Sequence, residues 1–230
     1  MALVKFGGGI IQASGSIAGT VHARNRFGNY IRARTKPVNP NSSWQNKVRQ
    51  ALAVLAAKWG GLTPENRILW ATYAQAIAMK NRLGETVYLT GFNHYIRSNL
   101  IRLIVLGTTI DVGPSELTLP EGDSTAAVTA TVAGQSMGMT FDVNNPWCVE
   151  PTGFMVWFQG QPRMATQNFF NGPWRRLVAT IGVAETGAVS PETHASNFGF
   201  IAGQKISVYA RICRADGRLT EPIIMSCTAA

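Results

Sequence analysis

Three histidines, His22, His94 and His194, are the side chains of this sequence best suited to proton transfer or metal binding. They stand far apart, and none has a second ligand at metal spacing, so each reads as a solvated or hydrogen-bonded imidazole. Glu185 and Glu192 come nearest to a carboxylate pair, but they fall in a loop of small residues that would not desolvate a carboxyl and raise its pKa. Gly7-Gly8-Gly9 fails as a phosphate cradle, because Gln12 takes the third glycine position and no strand–turn–helix frame follows. Gly15-Ser16 near Gly19 lacks the spacing of a nucleophile elbow. Cys148, Cys213 and Cys227 are odd in number and contain no CxxC pair, which argues against a disulfide framework or a zinc site and reads as reduced, buried thiols. The expectation is therefore no catalytic residue, no metal, no cofactor and no enzyme.

Charge carries more information than any candidate catalytic group. Net charge is +9. Residues 1–107 hold fourteen Lys/Arg against two acids, Glu65 and Glu85, a balance of +12, whereas residues 108–230 hold seven Lys/Arg against ten acids, a balance of −3. Within the first half, Arg24, Arg26, Arg32, Arg34 and Lys36 alternate with Phe27, Tyr30 and Ile31, and no acid interrupts them. A merely solvated tail has no reason to carry aromatic anchors so densely. The partner-binding residues predicted on this basis are Arg24, Arg26, Phe27, Tyr30, Arg32, Arg34 and Lys36, with the guanidinium groups pairing bidentately to carboxylates or phosphates. Trp44, Trp59 and Trp70, at helical spacing, read as core rather than as a stacking platform.

The elements that must position these residues follow from periodicity. Glycines between Gly7 and Gly28, then Pro37 and Pro40, weaken any helix over 1–40 and predict an extended basic arm. From Asn41 or Ser42 as N-cap, Trp44, Val48, Leu52, Leu55 and Trp59 mark one helix face that ends at Gly60-Gly61. Thr63-Pro64-Glu65 opens a second helix with Leu69, Trp70, Tyr73 and Ile77 inward. A short extended piece over 86–89 precedes a third helix from about residue 90 to 106, closed by Gly107. Residues 41–107 are thus a helical attachment unit, 108–120 a linker, and 121–230 a separable β domain. Its candidate strands are 127–132, 137–143, 154–159, 177–182, 205–214 and 222–228, with a turn at Ala215-Asp216-Gly217-Arg218. Phe141, Phe154, Val156, Phe158, Val178, Ile206, Val208 and Ile212 are expected to alternate into its core. The fold class is α+β and multi-domain, with an extended arm, a three-helix unit and an antiparallel β-sandwich of immunoglobulin or fibronectin III size. No run reaches the roughly 18 apolar residues of a membrane span, and the N-terminus lacks the apolar core of a secretory signal, so a soluble, non-exported chain is expected.

Three motifs carry a resemblance over roughly residues 15–107: Asn25, Arg26 and Gly28; Pro37, Pro40, Ser42 and Gln45; and Leu62, Thr63, Arg67 and Trp70. Together they resemble a family of tailed-phage and prophage-encoded proteins whose members usually have no assigned function. The second half resembles the fibronectin III and immunoglobulin-like modules appended to phage capsid and tail proteins, with Tyr209 and Asp216-Gly217-Arg218 as its closing hairpin and without their paired cysteines. The resemblance implies a virion structural protein, a capsid decoration or cement protein ahead of a tail or connector protein. Its partners would be other virion proteins, in many symmetric copies, with no membrane involved, and its location the virion, after assembly in the host cytoplasm. A nucleic-acid-binding protein is the alternative, in which the turn over 60–63 belongs to a helix-turn-helix. Against it, the second helix has only Arg67 and Lys80 as cations.

Overall fold

The computed structural model describes residues 2–36, 38–81 and 83–230. Pro37, one of the prolines invoked for the arm, lies outside them. The chain is mixed α+β and strand-rich, with three helices and four antiparallel sheets.

The N-terminal segment, expected to be an extended arm, is extended but pairs with itself as a sheet. It folds into strands β1 (Ala2–Val4), β2 (Gly15–Ile17), β3 (Thr20–Asn25) and β4 (Gly28–Ala33), hydrogen-bonded in the order β1-β4-β3-β2. The physical reason is that glycine breaks helices but also makes turns. Asn25 and Gly28 pair across Arg26 and Phe27, the Asn25 side chain accepts from the Phe27 N–H at 2.9 Å, and Gly28 adopts φ 118°. Tyr30 and Ile31, read as anchors, are also strand formers, as is Val21.

Helices α1 (Ser43–Gly61), α2 (Pro64–Ala76) and α3 (Gly91–Leu106) begin where their caps predict. Ser42, Thr63 and Thr90 accept from the backbone three residues on, and Gly107 ends α3 in the left-handed conformation. Strands β5 (Ala78–Lys80) and β6 (Thr86–Tyr88) form a hairpin between α2 and α3. Leu55, Leu62, Trp70, Tyr73, Ile77 and Tyr95 form the helical core, with the Trp70 and Tyr95 rings edge to face at 5.6 Å. Because α3 packs against both α1 and α2, α1 buries only a narrow stripe, Ala51 and Leu55. Trp44, Leu52 and Leu69, expected inside, are exposed.

The remaining strands are β7 (Ala127–Thr131), β8 (Ser136–Thr140), β9 (Phe154–Gly160), β10 (Trp174–Ile181), β11 (Glu192–Ala195), β12 (Lys205–Cys213) and β13 (Ile223–Thr228). They make a sheet β10-β9-β12-β13 and a sheet β11-β8-β7. Met137 and Met139 from one and Met155, Trp157, Ile206 and Val208 from the other share a core. Phe154, Val156 and Phe158, expected in that core, point the opposite way: Phe154 and Val156 are buried with Cys213 and Leu219 against Ile101, Val105 and Leu106 of α3. The run from Phe154 to Phe158 is continuously apolar, as a strand covered on both faces must be, so alternation could not assign its inward side.

The 108–120 segment, expected to be a linker, is pinned to the helices. The Ile110 N–H donates to the Asn99 side chain at 2.7 Å, and the Trp70 indole donates to the Asp111 carbonyl at 3.0 Å. A Cβ on Gly113 would stand 2.7 Å from the backbone of Leu69 and Trp70, so only glycine fits there. Helix α3 also reaches the β12–β13 end directly: Arg97 donates to the Leu219 and Thr220 carbonyls at 2.7 and 3.0 Å, and buried Arg102 to those of Thr152 and Arg214 at 3.1 and 3.3 Å.

Candidate partner-binding surface

The predicted binding residues fall on the β3–β4 hairpin and the segment after it. Register places Tyr30 and Arg32 opposite Ala23 and Val21 on one face, while Arg24 shares the other face with Ile31 and His22. Arg26 and Phe27 form the hairpin tip. Arg34 leaves the sheet with its N–H bonded to the Gly19 carbonyl at 2.8 Å, and Lys36 follows, exposed. The structure therefore gathers Tyr30 with Arg32 and Arg26 with Phe27, and separates Arg24 from both.

No residue of this sheet whose side chain is described is buried; most are exposed or half-buried. Among the described residues, none of Arg24, Arg26, Arg32, Arg34 and Lys36 forms an ion pair; Arg24 donates only to the Gln12 amide oxygen at 3.2 Å. Uncompensated cations raise a positive potential that reaches about 8–10 Å into physiological salt. The single tie to a carboxylate among the described residues of this segment is Lys5 with Glu85, beside a groove of about 580 Å³ bordered by Phe6, Phe27 and Leu83. The ammonium of Lys5, then the amide of Asn81, hold the Glu85 carboxyl below its usual pKa.

A second basic surface escaped the sequence reading, because summing charge over a whole half hides segregation within it. Of the seven cations after residue 107, only Arg214 and Arg218 pair with acids among the described residues, namely Glu150, Glu116 and Asp216. Arg163, Arg175, Arg176 and Lys205 lie together near the Gly160 end of β9, beside a cluster of Phe158, Tyr209, Trp174 and Phe170. The adjacent triplet Trp174-Arg175-Arg176 was the available signal.

The histidines do not converge. His22 lies in β3. His194 lies in β11, 2.9 Å from Glu192, which opens that strand rather than lying in the expected loop and accepts from Thr180. His94 is fully buried on α3, its ring edge-on to Tyr73 at 5.2 Å, and neither of its nitrogens meets a protein hydrogen-bond partner among the described residues. Burial, and then the Arg97 charge, push His94 down to about 4, so it is neutral at pH 7; burial pushes the Tyr73 hydroxyl up to about 12. Cys148, Cys213 and Cys227 are free thiols pushed up to about 11, chiefly by burial, and so are protonated and poorly nucleophilic. No group of three or more metal-ligating side chains is present among the described residues, and no helix there is long and apolar enough to cross a membrane.

No protein-family model matches the chain, and the search of curated proteins found no match. The functional argument therefore rests on these surfaces.

Proposed function

We propose that this chain is a bacteriophage virion structural protein, a capsid decoration or cement protein or another particle-associated assembly protein, held to its neighbours by the basic N-terminal sheet and the helices. In this reading the two sheets after residue 120 form a β-sandwich of the immunoglobulin or fibronectin III kind that packs outward or on a neighbouring subunit, and the protein acts without catalysis. The observation that carries the reading is a four-stranded sheet with cations on both faces, no acid in its sequence and no buried described side chain. A sheet of that kind lacks a core of its own and gains stability when a partner covers it. Arg32 with Tyr30, and Arg26 with Phe27, offer the cation-plus-aromatic pairing typical of interface anchors. Mass spectrometry of purified particles tests the proposal: the protein is expected in stoichiometric, repeated amounts, and its absence from particles overturns it.

Nucleic-acid binding is the second reading, favoured by the unpaired cations. Against it, the Arg67 guanidinium of α2 donates to the Gly60 carbonyl, which occupies a side chain a recognition helix would need. Salt titration with duplex DNA separates the two: steep, sequence-independent weakening is expected, and a salt-tolerant, sequence-selective complex would favour the second reading.

A further inference from the structure

Antiparallel pairing sets Gly160 and Lys205 at one end of the β9–β12 pair and Phe154 and Cys213 at the other. Seven residues of strand separate these ends by about 20 Å. Charge is sorted along that axis. Arg163 bridges to Lys205, and Arg175 and Arg176 stand opposite Gln159 and Phe158, so four cations collect at the first end with no acid partner among the described residues. Beside them Met164, Phe169 and Ile201 are 73%, 83% and 67% exposed.

The opposite end holds arginines already neutralised by acids, Arg97 with Glu221, Arg214 with Glu150 and Arg218 with Glu116, and further carboxylates beside them. Glu116 and Glu121 line a groove with Arg218 and Trp147, Glu221 follows Thr220 beside Arg97, and Glu185 lies in the loop whose Val183 N–H bonds to the Cys148 carbonyl. All four carboxylates are exposed, and so are Leu117, Val149 and Val183 around them. The first end thus presents unpaired cations, and the second presents Glu121 and Glu185, which form no ion pair among the described residues, each beside exposed apolar side chains.

The aromatic cluster at the basic end narrows the class of partner. Phe158 and Tyr209 stack on each other at 4.6 Å, Trp174 meets Tyr209 and Phe170 edge-on at 4.9 and 4.7 Å, and Arg163 caps Phe170 at 5.7 Å. The rings of this cluster pack on one another, and aromatics mixed with arginine are the composition of protein interfaces.

We propose that copies of this chain associate head to tail, the basic apolar end of one seated on the free carboxylates and apolar side chains at the opposite end of the next. The contact joins unlike surfaces, so it generates a ring if the rotation closes and a filament if it does not. It draws on the reading above only for the expectation of many copies.

Sedimentation velocity of the full chain tests it, at about 50 mM and about 500 mM salt. Concentration-dependent association is expected at the lower salt and its loss at the higher. Arg163→Ala with Arg175→Ala at one end, and Glu121→Ala with Glu185→Ala at the other, should each weaken association at least about tenfold with an unchanged melt, since exposed charges contribute little to folding. An equimolar mixture of the two variants should stop at a one-to-one dimer, because each brings one intact end. A wild-type monomer at low salt overturns the proposal, and so does association that the Glu121→Ala with Glu185→Ala variant leaves unchanged. Particle mass spectrometry is independent of this outcome, so either claim can fail while the other stands.

Discussion

The N-terminal sheet and the β9 strand are built from the same antiparallel geometry and reach opposite states. Strands β2 to β4 carry no buried residue, whereas six of the seven residues of β9 are buried. Coverage makes the difference. One face of β9 lies under Met137, Met139 and Trp147, and the other lies partly under α3. The N-terminal sheet spends its faces on arginines and aromatics that the described residues leave exposed or half-buried. A strand contributes to folding through the faces that are covered and is available for recognition through those that are not. The same contrast revises the expected division of the chain, because α3 belongs to the covering of β9 as much as to the helical unit.

The largest expected effect comes from uncovering β9. A fragment of residues 115–230 lacks Ile101, Val105 and Leu106, and so exposes Phe154, Val156 and Leu219. We expect it to lose its cooperative thermal transition and bind a hydrophobic dye, as incompletely packed states do. A sharp melt of this fragment would show that the strands own their core without the helix.

A smaller loss is expected from within the shared core. Trp157 is fully buried there, and Trp157→Ala should cost about 3–5 kcal/mol in denaturant unfolding of the full chain. The equivalent truncation in the N-terminal sheet, Tyr30→Ala, should cost less than about 1 kcal/mol, since Tyr30 is only half-buried. Equal costs at the two sites would erase the comparison.

Acid should act through the helix that joins the regions. His94 titrates near 6.5 when unfolded and is held down to about 4 in the fold, so the unfolded state binds the extra proton between those values. Stability from this group is therefore complete above about pH 6.5 and falls by about 3 kcal/mol as pH drops through that window. His94→Phe keeps a ring against Tyr73 and removes the titration, so its stability should decline less than wild type from pH 6.5 to 4 in parallel denaturant series. Identical slopes would mean that the imidazole gains a proton without leaving its site.

How much of this was legible depended on whether one local rule decided the element. The three helices announced themselves through Ser42, Thr63-Pro64 and Gly107, because caps act within a single turn and tertiary context seldom overrides them. Strand β9 was legible as a strand but not as to its inward face, since Phe154 to Phe158 are all apolar and the covering helix lies far back in sequence. The N-terminal sheet was missed because its glycines were weighed as helix breakers and not as turn formers. The residues proposed for binding were chosen by type; their division between two faces, with Arg24 apart from Arg32, is a matter of register that composition does not record. The second basic surface needed the fold itself, since Arg163, Arg175 and Lys205 meet only through strand pairing.

The smallest expected effect on stability is also the sharpest separation of the two regions. Deleting residues 1–36 removes all four strands of the N-terminal sheet, yet it takes no side chain from any of the three buried clusters. The ties lost are few. Lys5 pairs with Glu85, but both partners are substantially exposed, and an exposed ion pair contributes about 0–1 kcal/mol at most. The Arg34 N–H to Gly19 carbonyl bond and the β3–β4 ladder are internal to the deleted piece and vanish with it. We therefore expect the truncated chain to unfold cooperatively, with a midpoint within about 2–4 °C of the full chain, which is what about 1 kcal/mol amounts to at this size. Under the proposed virion role, incorporation into particles, scored by mass spectrometry after infection with the truncated gene, should fall to background. A midpoint lowered by more than about 10 °C would mean that the sheet is part of the core after all. Undiminished incorporation would move attachment to the helices or to the charged ends of the β9–β12 pair.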